Sequence, residues 1–163
     1  IHKTTPFMKE EIIGITQAFE GVNVELLQIQ EHSPWRAIRF GMKATRQAEN
    51  FAIKRGTVIP TNKDSFLIWT HGSLNIPEWT GSYNYFRGGR GIPAPLVVKR
   101  FWGQSEGGVL AEEILMLTKM NWNSGDSLYK SLPVPLDFAK VLSRMSKQNE
   151  VLFDKSYDFR CFM

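Results

Sequence analysis

Cysteine and histidine are both scarce in this chain of 163 residues. The single cysteine, Cys161, excludes an internal disulfide and any multi-thiolate zinc centre, so a reducing, cytoplasmic compartment is the simplest expectation. His2, His32 and His71 lie far apart and no His-x-x-x-His pair occurs, which disfavours a metal centre built on imidazoles. No apolar run reaches the roughly 18 residues that a bilayer span needs, so membrane insertion is not expected. Repeats and low-complexity tracts are missing, and 8 prolines and 13 glycines are near the average for folded proteins. The start, "IHKTTPFMKEE", lacks an initiator Met and a signal-peptide pattern and reads as the interior of a longer protein. No Gly-x-Gly-x-x-Gly or Walker pattern occurs, which disfavours a nucleotide cofactor, and the Ser, His and Asp residues show no recognisable triad context.

What is present is enough for one domain with a core: 42% of the residues are apolar. Twenty Lys and Arg against 16 Asp and Glu give a net charge of +4, which permits a polyanionic partner without requiring one. Glu10 with Glu11, and Glu112 with Glu113, are neighbours on helical stretches and point in different directions, so they read as solvated surface residues.

Periodicity gives the order of elements. Residues 1 to 4 look like the end of a strand. Thr5 and Pro6 then read as the entry to a helix with Met8, Ile12, Ile15 and Phe19 on one face and Gly21 as its stop. "VNVELLQIQ" alternates as a strand, and "WRAIRFGM" after Pro34 is a second short strand candidate. From about residue 43 to 75 the pattern is β-like, with a polar turn "TNKD" before "SFLIWTH", an apolar run that suggests burial on both faces. A further strand, "LVVKRFW", precedes a helix "GGVLAEEILMLTKM" with Val109, Ile114, Leu117 and Met120 as candidate core positions. The tail, residues 149–163, is aromatic enough to dock on the body. The expected fold class is α/β: one mixed sheet, incomplete, flanked by helices.

Two stretches carry chemistry. In the loop from 79 to 100, Trp79, Tyr83, Tyr85 and Phe86 interleave with Arg87, Arg90, Lys99 and Arg100 around "RGGRG", a mixture that suits a sugar-phosphate backbone or, as a bland alternative, a solvated loop capping the sheet. The last helix, after Pro133-Val134-Pro135, sets Phe138, Val141, Leu142 and Met145 on one face and Lys140, Arg144 and Lys147 on another. A solvated face explains such a stripe by default. The preceding "NWNSGDSLYKSLP", however, places Asn121 and Asn123 around a Trp just before a helix N-terminus, where amides can face an anion.

The blocks "GIPAPLVVKRFWGQ", "LTKMNWN" and "LPVPLDFAKVL" closely resemble the C-terminal half of the PIWI domain of prokaryotic Argonaute proteins, and "IHKTTPFMKEEIIGI" resembles the strand and helix that open that half. The resemblance spans nearly all of residues 1 to 150. It implies a ribonuclease H-like PIWI fold working beside a MID domain to hold a short guide strand, RNA or DNA, and to display it to a complementary target. Active members cut the target with four acidic or metal-binding side chains and two divalent ions. The resemblance puts the first two of those groups upstream of Ile1, the third at Lys3 and the fourth at Lys140. A lysine ammonium has only donors and repels Mg2+, so the expected molecule is nuclease-dead. Asp137, one turn before Lys140, is a weaker candidate as a substitute ligand.

On the same resemblance Lys3, Lys140 and Arg144 are expected to touch nucleic acid, with Lys147 as a neighbour; Arg87, Arg90, Asn121 and Asn123 join them from the two stretches described above, and the resemblance has the terminal carboxylate of Met163 help to hold Mg2+ at the 5′ phosphate of the guide. The expected function is guide-dependent recognition without cleavage, in host defence, with an associated effector protein as a further partner. Two alternatives stay open: an active metal-dependent nuclease, and a protein-interaction module using "WTGSYNYF" around Trp79 as its contact patch.

Overall fold

The computed structural model describes residues 1–41, 52–73, 92–120 and 131–148. Five strands in these residues form one sheet: β1 (His2–Lys3), β2 (Leu26–Gln30), β3 (Val58–Asn62), β4 (Ser65–Ile68) and β5 (Leu96–Trp102), in the order β1-β2-β5-β4-β3. Only β1 and β2 are parallel, joined through helix α1 (Lys9–Ala18), and every other pair is antiparallel. Asn62 accepts the amide N–H of Asp64 through its side chain in the tight β3–β4 turn. Helices α2 (Gly107–Leu117) and α3 (Val134–Gln148) follow β5.

The period-2 pleat sorts the core into two layers. On one face Leu27, Ile29, Phe66, Ile68, Leu96 and Val98 pack against Leu110, Ala111 and Ile114 of α2 and against Leu132 and Leu136 at the entry to α3. Each fully buried Leu, Ile or Val among them contributes roughly 1.5–3 kcal/mol. On the other face Leu67 and Trp69 meet Ile53, with Ala37 and Val97 packed alongside. Polar ties hold the layers in place: the Trp69 indole N–H donates to the Pro93 carbonyl at 3.1 Å, and Arg55 donates to the carbonyls of Thr70 and Leu115 and to the Thr118 hydroxyl at the end of α2.

Strands β4 and β5 and helices α2 and α3 occupy the stretches whose patterns predict them, and β4 is buried on both faces as its apolar run implies. Elsewhere tertiary contacts override local signals. The first helix starts at Lys9 rather than at Pro6, because the Glu11 carboxylate reaches back to accept the Met8 amide N–H at 2.7 Å and fixes the cap there. Its expected core face is open: Met8 and Phe19 are exposed, and no residue of α1 is fully buried. Strand β2 begins only at Leu26, leaving Val22 and Val24 outside it, and it is buried on both faces rather than alternating. Of "WRAIRFGM", residues 35–41 form no strand. In α2 the buried stripe is Leu110, Ala111 and Ile114, so Val109 and Met120 face outward against expectation.

Candidate nucleic-acid interface

Because β1 and β2 are parallel neighbours, their C-terminal ends lie at the same rim of the sheet, with Lys3 in register with Gln28. Helix α3 comes into contact with β1 there. The rim thus gathers Lys3 from β1, Glu31 directly after β2, and Lys140 from α3.

Both lysines have carboxylate partners. The Lys3 ammonium donates to Glu11 of α1 at 2.5 Å and lies 5.3 Å from the centre of the Phe7 ring. The hydrogen bond from Lys3 holds the Glu11 carboxyl below its usual range, aided by the Met8 amide N–H. Lys140 forms an ion pair with Glu31, whose side chain is 23% exposed against 43% for the lysine. Each ammonium carries charge on a surface where the resemblance expects a metal ligand, and a carboxylate balances it.

Further along α3, Arg144 and Lys147 are exposed, one and two turns beyond Lys140, and continue the cationic face past its compensated end. Of the loop cations, Lys99 stacks over Phe101 at 5.1 Å, while Arg100 is tied into the fold by Asp64 at 3.2 Å and by the Ser105 carbonyl. Arg87, Arg90, Asn121, Asn123 and Met163, like Trp79 and the tail 149–163, lie outside the described residues.

Sequence reasoning missed the two carboxylates. Glu11 looks like a solvated neighbour of Glu10, yet its spacing from Met8 is that of a reaching-back N3 residue and could have marked it. Glu31 meets a partner 109 residues away and carries no local signal. Two further groups are shifted by their surroundings, His2 in β1 and Glu25 at the end of β2 opposite Glu31. Burial pushes the His2 imidazole down to about 4, and its Nδ1 has no hydrogen-bond partner among the described residues. Burial pushes the Glu25 carboxyl up, but hydrogen bonds from Ser105 and Gln104 and the charge of Arg100 outweigh it and leave the group below its ordinary value.

Among solved structures the chain is similar to Aa-Ago with externally bound siRNA, at a TM-score of 0.61 and 21% identity over 91% of this chain and 18% of that one. It is also similar to Clostridium butyricum Argonaute bound to a guide DNA and a 19-mer target DNA, at a TM-score of 0.61 and 17% identity over 88% of this chain and 16% of that one. The chain has the fold of an Argonaute segment. A further structure of A. aeolicus Argonaute aligns over 96% of this chain and 18% of its own length, at a TM-score of 0.56 and 21% identity. The mixed α/β sheet is accordingly of the ribonuclease H-like type, and the chain spans under a fifth of the length of these Argonautes. No protein-family model matches the sequence, and no curated protein matches it.

Proposed function

We propose that this chain is the C-terminal part of an Argonaute PIWI domain that recognises guide and target strands without cutting them. The observation that carries the reading is the pairing of Lys3 with Glu11 and of Lys140 with Glu31 at the sheet rim. At the two positions where the resemblance calls for metal ligands stand cations, each anchored by a carboxylate. Two-ion hydrolysis needs oxygen or nitrogen lone pairs aimed at the ions, and an ammonium offers none. What remains is recognition: base pairing specifies the target, and the exposed Arg144 and Lys147 hold backbone phosphate, helped by the cations of residues 87 and 90. The work of such a protein is to mark invading nucleic acid for an associated effector.

The test uses the intact protein purified from its own cells. Extraction should yield short strands of uniform length with a fixed 5′ end. With such a guide loaded, a labelled complementary target should bind and stay uncut in Mg2+ or Mn2+. Arg144→Ala should weaken binding to every sequence alike and lower the slope of log affinity against log salt by about one. Divalent-dependent cutting of the target would establish the active nuclease instead. Recovery of no nucleic acid from folded protein would favour the interaction module.

A further inference from the structure

Helix α3 is anchored at one end and carries exposed cations toward the other. Leu132, Val134 and Leu136 are buried where it enters the fold, whereas no residue from Asp137 to Lys147 is buried, and Phe138, Val141 and Leu142 are only half covered. Leu136 and Arg144 are eight residues apart, roughly 12 Å along the axis. A tilt of about 10° at the entry therefore moves the base of Arg144 by roughly 2 Å, enough to break a hydrogen bond to phosphate. Core packing holds the entry and leaves the direction of the helix to other contacts.

Lys140 stands midway, four residues from each and on the same face as Arg144. Its ammonium pairs with Glu31, 109 residues away in sequence. Glu31 directly follows β2, a strand hydrogen-bonded by β1 on one side and by β5 on the other, with Leu26, Leu27 and Ile29 at 1% exposure or less. It is a fixed post, and its own side chain is 23% exposed. Electrostatics alone argues against this arrangement on a face that binds phosphate. A carboxylate there repels the ligand, and the lysine that it occupies is lost to the phosphates. What the pair supplies is direction: it ties the open stretch of α3 to the rigid centre of the sheet, one turn before Arg144.

We infer that Glu31 and Lys140 are positioning residues for nucleic acid, a latch that aims Arg144 and Lys147 at the backbone and makes no phosphate contact itself. The role rests on the functional reading above, and it moves Lys140 from the expected phosphate contacts to their support. Two consequences separate the latch from a charge effect. Neutralising Glu31 removes an anion and frees a cation, so simple attraction strengthens binding, whereas loss of the latch weakens it. Glu31 and Arg144 also become energetically coupled, since Arg144 contributes only while α3 is held.

The experiment measures binding of a fluorescein-labelled single-stranded oligonucleotide of mixed sequence, as DNA and as RNA, to the intact protein stripped of nucleic acid, over a range of salt. Glu31→Gln should weaken binding about fivefold with little change in the urea midpoint, because a partly exposed ion pair adds little to stability. Arg144→Ala should lower the slope of log affinity against log salt by about one in the parent and scarcely at all in the Glu31→Gln background. Glu31→Lys and Lys140→Glu should each weaken binding, and the two together should restore it to within about twofold of the parent, since the exchanged pair closes the same latch. Equal or tighter binding by Glu31→Gln, while the parent binds and Arg144→Ala responds, would overturn the latch and leave the functional reading standing. So would additive effects of Glu31→Gln and Arg144→Ala, or an exchanged pair that binds no better than Glu31→Lys. Failure of the parent itself to bind would remove the functional reading, and the latch with it.

Discussion

His2 sits where burial disfavours its charged form, and its folded pKa of about 4 lies well below the ordinary 6.5. Between those values the unfolded chain binds a proton that the folded chain refuses, so stability rises with pH across the window and is lost on acidification. Thermal unfolding followed from pH 6.5 down to 4 should show a falling midpoint, and His2→Gln should flatten the fall. Glu11 and Glu25, both held below the usual carboxylate value, act in the same direction at lower pH: their contribution is present above the unfolded pKa and disappears as pH drops through the folded one. At this scale the sequence shows charges better than it shows their compensation. Lys3 and Lys140 are plain to read, whereas Glu31 becomes the partner of Lys140 only when the end of β2 and the face of α3 meet.

Elements are set by period, and their ends by contacts. Glycine substitutions make the difference measurable. Gly72, at φ +152° beside the Lys54–Ser73 bridge, would place an added Cβ 2.2 Å from the Ile53 carbonyl oxygen, a backbone atom that has nowhere to go. Gly72→Ala should cost about 1–3 kcal/mol for the backbone conformation alone, with the clash in addition. Gly14, inside α1 with nothing near its Cβ position, should do the reverse, and Gly14→Ala should stabilise by about 0.5–1 kcal/mol. Urea midpoints for the two variants should therefore move in opposite directions. Strand β5 and helix α2 were legible because each repeats its period over several turns or pleats with few breaks. The phase of the buried stripe in α2 was not, since Val109 and Leu110 are equally apolar and only the position of the sheet decides that Leu110 turns inward. The start of α1 was hidden for a related reason, Glu11 capping Met8 where Pro6 offered an equally good entry.

For the molecule as a whole, composition bounded the class and the family resemblance supplied the fold, while the strand order had no local signal at all. Central β5 has an earlier strand on each side: the β3–β4 hairpin is the nearer in the chain, and β2 pairs with it across a much longer stretch. Closing a long loop costs more entropy than closing a short one, so β3 and β4 should gain structure before β2. Pulse-labelled hydrogen exchange during refolding should show amides of Phe66 to Ile68 protected earlier than those of Leu27 to Ile29. The apolar residues of β2 are buried on both faces once the sheet is complete, yet they leave the ribosome well before their antiparallel partner exists. During synthesis that strand waits, greasy on both sides and still without its antiparallel partner, which makes it a segment that a nascent-chain chaperone would grip.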